Sequence, residues 1–200
     1  MNITRRSFGK LTSGSLLALA TGTSITLTGC NVFSDILSWI PVGITAINGI
    51  LTVLGTLVPP GALFIISQVK SGFADLAAAV REYQADTNPA DKSTLLEKIR
   101  TLLLDIVTNF QGFLNQLNLG TNTIVNIVIG LAQVVLSALM GFLGQLPTAP
   151  ATSKRIAPVT FNVGGKQNVI VPHFYKTIQE FKSAYNSVAT ADGHPELNIK

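Results

Sequence analysis

The 200-residue sequence holds one cysteine, two histidines and one tryptophan, and only 12% of its residues are charged. A single cysteine excludes an intramolecular disulfide. The histidines are a poor start for a metal centre: His173 follows Pro172 at the start of the last helix, and His194 sits between Gly193 and Pro195. With Glu180 and Glu196 as the nearby carboxylates, the spacing matches no familiar ligand pattern. No Gly-x-Ser-x-Gly elbow is present. The stretch "VGGKQN" lacks the Gly-x-x-x-x-Gly-Lys-Ser/Thr spacing of a phosphate loop and opens no helix, so it reads as a hairpin turn. Asp75 and Asp105 each fall directly before a core position of an apolar helix, which makes them solvated or paired charges at the rim. The expectation is a protein that is not an enzyme, with no cofactor and no metal.

Charge is scarce in its distribution as well. There is none between Asp35 and Lys70, and 48 consecutive uncharged residues separate Asp105 from Lys154. Such segments are buried either in protein or in lipid. The formal net charge of +4 owes much to Arg5, Arg6 and Lys10; residues 31–200 hold 11 Lys/Arg against 10 Asp/Glu. No basic cluster interleaved with aromatics remains there, which argues against a nucleic-acid partner. Attraction to an anionic lipid surface is equally unsupported.

What the chain does have is an address. Residues 1–30 run from a basic start through the apolar "LTSGSLLALATGTSITL" to a small-residue ending at Cys30, the layout of a removable export signal. The stretch "TRRSFGK" resembles the twin-arginine (Tat) signal, Ser/Thr-Arg-Arg-x-Phe-Leu-Lys. Arg5, Arg6, Phe8 and Lys10 match it, and Gly9 stands where leucine is usual. The ending "LTGC" resembles the lipobox of bacterial lipoproteins, with Leu27, Thr28 and Gly29 before Cys30. This resemblance, confined to the first 30 residues, implies a Tat-exported lipoprotein precursor. Residues 1–29 would be removed, the Cys30 thiol would carry a diacylglycerol, and the chain would be membrane-anchored in the cell envelope, on the periplasmic side of the inner or outer membrane. Asn31 stands where the family's usual retention signal is aspartate, which leaves outer-membrane delivery open.

The remaining chain reads as one mainly α domain. Breakers divide residues 30–147 into four long segments. The first spans 33–57, with Pro41 expected to kink or restart the helix. After "VPPG", Pro60 suits a first helical position, and Ile66, Val69, Phe73, Leu76, Val80 and Tyr83 form one apolar stripe. In "DTNPADKSTLLEKI", Asn88 is placed to cap a third helix, with Pro89 first and Asp91 facing the helix start. Its stripe is Leu96, Ile99, Leu103, Ile106, Phe110, Phe113 and Leu117. The fourth, 123–146, is apolar nearly all round, as in a helix enclosed on every side. Short connections favour an up-and-down four-helix bundle.

Residues 148–200 then supply a linker, a β-hairpin turning at Gly164-Gly165, and a final amphipathic helix with Phe174, Ile178, Phe181, Tyr185 and Val188 on one face. Hairpin and helix would dock on the bundle, and "ADGHPELNIK" would fray.

Three functions follow from these residues. The first is a scaffold or binding module for an envelope protein partner, tethered through lipidated Cys30. The second is a carrier of an apolar, lipid-like ligand held between the first and fourth helices, with Trp39, Phe64, Phe110 and Phe142 as liners. The third is a membrane-inserting hairpin or pore formed by those same two helices. Gly43, Gly49, Gly55, Gly130, Gly141 and Gly144 would then allow close helix contact. Against insertion, Asn48, Thr52, Asn126, Gln133 and Gln145 interrupt the apolar surface.

Overall fold

The structure, a computed structural model, describes residues 28–117, 124–147, 159–163 and 166–200. Arg5, Arg6, Phe8, Lys10 and Leu27 lie outside the described residues, as does the linker from 148 to 158. What is described is mainly helical, with five α-helices and one small antiparallel sheet.

Helix α1 spans Thr28–Leu54, so Thr28, Gly29 and Cys30 fall in its first turn. It runs through Pro41, where a kink or a restart is expected, and so does not restart there. Pro41 is exposed, and the Leu37 carbonyl deprived of its amide partner lies one turn earlier on that same, wetter side. A short 3-10 turn, Gly55–Leu57, follows, with Gly55 in the left-handed region at φ 49°, where a glycine is the least strained residue.

Helix α2 spans Pro60–Ala85 and α3 spans Pro89–Gln116. The two run antiparallel: Lys98 Nζ lies 3.6 Å from Glu82 Oε2 near one end, and Gly61 meets Gln116 at the other. Asn88 caps α3 by accepting from Ala90 N at 3.1 Å, and its Nδ2 donates to Asp91 Oδ2 at 2.7 Å. Within α3, Leu95 is buried and Leu96 only half-buried. Both precede Ile99 by about one turn, and the four-residue step is the one that points inward here.

Helix α4, Ile124–Gln145, is buried almost continuously from Val125 to Leu143. Its uniform apolarity has a direct cause: α1 and α3 pack against it, and so does the C-terminal region. Strands β1 (Val159–Val163) and β2 (Lys166–Ile170) pair antiparallel, with Val163 opposite Lys166; the expected turn at Gly164-Gly165 lies outside the described residues. Phe161, Val163 and Ile170 turn inward. The backbone of β1 is held on α3, with Gln111 Nε2 donating to Thr160 O and Asn162 N donating to Asn115 Oδ1, each at 2.8 Å.

Helix α5 spans Ile178–Ala191. Thr177 Oγ1 accepts from Glu180 N at 3.1 Å, while Glu180 Oε2 accepts from Lys176 N at 2.7 Å. This reciprocal capping sets the helix start, and it leaves Phe174 in the preceding extended run rather than on the expected helical face. The tail does not fray either. Gly193 takes φ 82° and lets His194 N reach back to Ala189 O at 2.8 Å. Ile199 is buried, and Asn186 bonds both its amide and its carbonyl, at 2.7 and 3.2 Å.

Among the described residues, three stretches are long and apolar enough to cross a membrane: Val32–Leu57, Pro60–Ala85 and Ile124–Gln145. They differ in cover, because 78% of the α4 window is buried in protein against 39% and 33% for the other two. The first and fourth helices are therefore not an equivalent pair. Helix α4 is the most enclosed of the three, and α2 joins α1 as an apolar helix with an open face.

Candidate functional site

Trp39 of α1 stands at the centre of the space between α1 and α4. Its ring lies 5.5 Å from Phe142 of α4 and 5.8 Å from Phe73 of α2, with Phe181 of α5 at 5.3 Å, all tilted or edge-on. Phe142 continues to Phe174 at 5.8 Å, and Phe181 to Tyr175 at 5.5 Å. Each such pair adds about 0.5–1.5 kcal/mol beyond its area burial. One polar atom sits awkwardly here: Trp39 Nε1 is buried with no hydrogen-bond partner.

The C-terminal segment closes the groove from outside. Tyr185 is fully buried and its hydroxyl donates to Ala46 O at 2.9 Å, and burial pushes the Tyr185 phenol well above its ordinary range. Three glycines make the approach feasible. A Cβ at Gly49 would collide with the Tyr185 hydroxyl, one at Gly130 with Val188, and one at Gly141 with the His173 carbonyl. The His173 amide in turn donates to Ser137 O of α4 at 3.0 Å. Glycines that suggested helix pairing in a membrane thus receive the chain's own C-terminal segment.

The expected liners do not come together. Trp39 and Phe142 share the aromatic cluster, but Phe110 stacks on Phe113 within α3, with ring centroids 6.0 Å apart. Phe64 points away from the protein and is largely exposed. It stands two residues before the inward-facing Ile66, hence on the opposite side of α2. Asn48, Thr52 and Asn126 likewise lie on the outside, not in a wet groove.

The polar candidates are scattered. His173 precedes α5 and His194 follows it, so a whole helix separates them. The His173 ring packs on Tyr175 at 4.4 Å. His194 Nδ1 lies 2.8 Å from Glu196 Oε1, and this hydrogen bond holds the Glu196 carboxyl below its ordinary range. Asp75 and Asp105 are exposed, whereas burial raises the Asp35 carboxyl. No group of three or more His, Cys, Asp or Glu able to hold a metal occurs among the described residues. An open hollow of about 480 Å³ lies beside the start of α5, lined by His173, Tyr175, Lys176, Glu180, Ser183 and Ser187 among others. Its carboxylate, Glu180, is engaged in capping the helix.

Sequence reasoning overlooked Tyr185 as an anchor and the tail as a folded element. A signal for each was present: a tyrosine on the apolar face of an amphipathic helix needs a partner for its hydroxyl, and "TIQE" at 177–180 is a capping box. No protein-family model, no curated protein and no solved structure matches this chain.

Proposed function

We propose that this protein is an exported lipoprotein of the bacterial cell envelope, anchored through lipidated Cys30. In this reading the four long helices form an up-and-down bundle that acts, without catalysis, as a scaffold or binding module. The observation that carries the proposal is the occupied groove. Phe181, Tyr185 and Val188 fill the space between α1 and α4 that an apolar ligand would need, so the outer surface is what remains for partners. The scattered titratable groups support a non-enzymatic role in the same way.

The address is tested in a Tat-competent bacterium by radiolabelled palmitate and intact-mass measurement. The expected outcome is incorporation that depends on Cys30, a mass beginning at that residue, and loss of both on Arg5→Lys/Arg6→Lys. Labelling unaffected by Cys30→Ala would end the lipoprotein reading. The occupied groove is tested by native mass spectrometry of the Cys30→Ala chain, expected at the bare polypeptide mass. Extra mass removable by organic solvent would instead favour the carrier.

A further inference from the structure

The two turns that flank α2 solve one problem with different chemistry. A helix start leaves backbone amides without intrahelical partners. At α3 they are met by polar side chains from a charged turn: Asp86 Oδ1 accepts from Asn88 N at 2.8 Å, and Asn88 and Asp91 bond as described. At α2 the problem is largely removed. Pro59 and Pro60 have no amide to satisfy, and Pro59 O accepts from both Ala62 N and Leu63 N, at 2.9 and 3.3 Å. No side chain caps this helix.

The surface around this second turn is equally spare of polar groups. Leu57, Leu63 and Phe64 are 44%, 51% and 66% exposed. The nearest charges along the chain are Asp35 and Lys70, with 34 uncharged positions between them. Three hydroxyls on these helices turn back on their own backbone: Thr45 donates to Pro41 O and Thr52 to Asn48 O, each at 2.9 Å, and Ser67 to Phe64 O at 2.6 Å. A protein interface surrounds its apolar centre with a polar rim. Along the chain the rim is Gly55, Thr56, Pro59, Gly61 and Gln68, none of them ionic. Hydrocarbon selects for these properties, namely no charge and few unmet backbone donors.

We infer that the α1–α2 tip, centred on Leu57, Leu63 and Phe64, inserts into the apolar layer of a lipid bilayer. Lys70 bounds the charge-free length of α2. It lies ten residues beyond Pro60, or about 15 Å along the axis at about 1.5 Å per residue, roughly half the ~30 Å hydrocarbon core. The tip is a wedge in one leaflet, and the bundle stays folded above it. The inference goes beyond the lipid anchor and does not depend on it.

The test uses the full chain with Cys30→Ala, in which an introduced cysteine is the only thiol. Phe64→Cys carries an environment-sensitive fluorophore, and Thr94→Cys on α3 serves as the comparison. Vesicles of neutral phosphatidylcholine remove any electrostatic contribution. Both variants keep the same residues 1–29, so the difference between the two positions is the signal to read. The Phe64 probe is expected to shift to the blue and be quenched by shallow spin-labelled lipids, while the Thr94 probe stays aqueous. Adding Leu57→Glu/Leu63→Glu should lower the lipid response of the Phe64 probe at least tenfold with the helical melting curve unchanged. A Phe64 probe that stays aqueous at millimolar lipid overturns the inference, as does a joint shift of both probes, which would mean general opening onto lipid. A blue shift without vesicles that grows with protein concentration would assign the tip to a second copy of the chain, and so also overturns it.

Discussion

Two apolar regions of this molecule, the groove between α1 and α4 and the tip between α1 and α2, have similar composition and opposite fates. The groove is covered by the chain's own C-terminal segment; the tip is left open. Apolar content does not distinguish them, but side-chain size does. In the groove, Gly49, Gly130 and Gly141 leave hollows that Tyr185, Val188 and the His173 backbone occupy. At the tip, Gly55 has no neighbour where its Cβ would stand. The groove also offers an acceptor, Ala46 O, to the hydroxyl that covers it. An apolar surface becomes core when backbone can approach it closely and polar groups find partners on the way.

The strongest way to break this contrast is through Trp39. Trp39→Ala removes the ring that joins α1, α2, α4 and α5, and is expected to cost about 3–5 kcal/mol. Urea unfolding followed by circular dichroism reads this directly. Trp39→Phe sharpens the point. It keeps most of the ring and deletes the unpartnered indole N–H, whose desolvation costs about 1–3 kcal/mol, so stability should stay within about 1 kcal/mol of wild type. A loss as large as that of alanine would mean that the N–H has a partner in solution.

Next in size is Gly141→Ala. The new methyl meets a backbone carbonyl, which cannot rotate aside, and overpacking of this kind costs about 1–3 kcal/mol. The loss should come with faster hydrogen exchange in α5. Equal stability of variant and wild type would show that the segment 173–175 rides loosely on α4.

Much of this was legible in the sequence, for local reasons. Pro60, Asn88, Pro89 and Asp91 declare their helix starts because the chemistry of a cap lies within a few residues. The pairing of β1 with β2 is declared by the same kind of nearness. What was not legible depends on long-range packing. Pro41 looks like a break until its face is known to be wet. The tail looks frayed until Asn186 is seen to bond both ends of Ile199. The role of α4 as the enclosed helix and of α2 as an open one could not be separated by hydropathy, since both are apolar enough to span a membrane. Phe64 was the avoidable miss, because the α2 periodicity already places it opposite Ile66.

A smaller effect is expected at Tyr185. Tyr185→Phe removes one hydrogen bond, worth about 1 kcal/mol. The variant also changes the alkaline limb of stability. Burial raises the phenol pKa in the folded state, so its stabilising contribution is complete below the unfolded value, about 10. Above that pH the unfolded chain loses its proton first, and stability falls by about 1.4 kcal/mol per pH unit for this group. Tyr185→Phe should flatten the wild-type decline above pH 10. Parallel slopes for the two proteins would place this hydroxyl in water.

The smallest stability effect belongs to the tip, and its smallness is the informative part. Leu63→Ser/Phe64→Ser replaces two of the largest apolar surfaces on α2, yet both side chains are mostly in water already. Little burial is lost, and surface substitutions of this kind usually fall within about 0.5 kcal/mol. Comparable side chains in the groove cost several times as much. If the tip is a surface held ready for lipid, the double variant should unfold at the same urea concentration as wild type while a probe at Leu57→Cys, in the Cys30→Ala chain, loses its response to vesicles. A clear destabilisation would mean that these residues already pack against something in solution, and the tip would then belong with the groove as core.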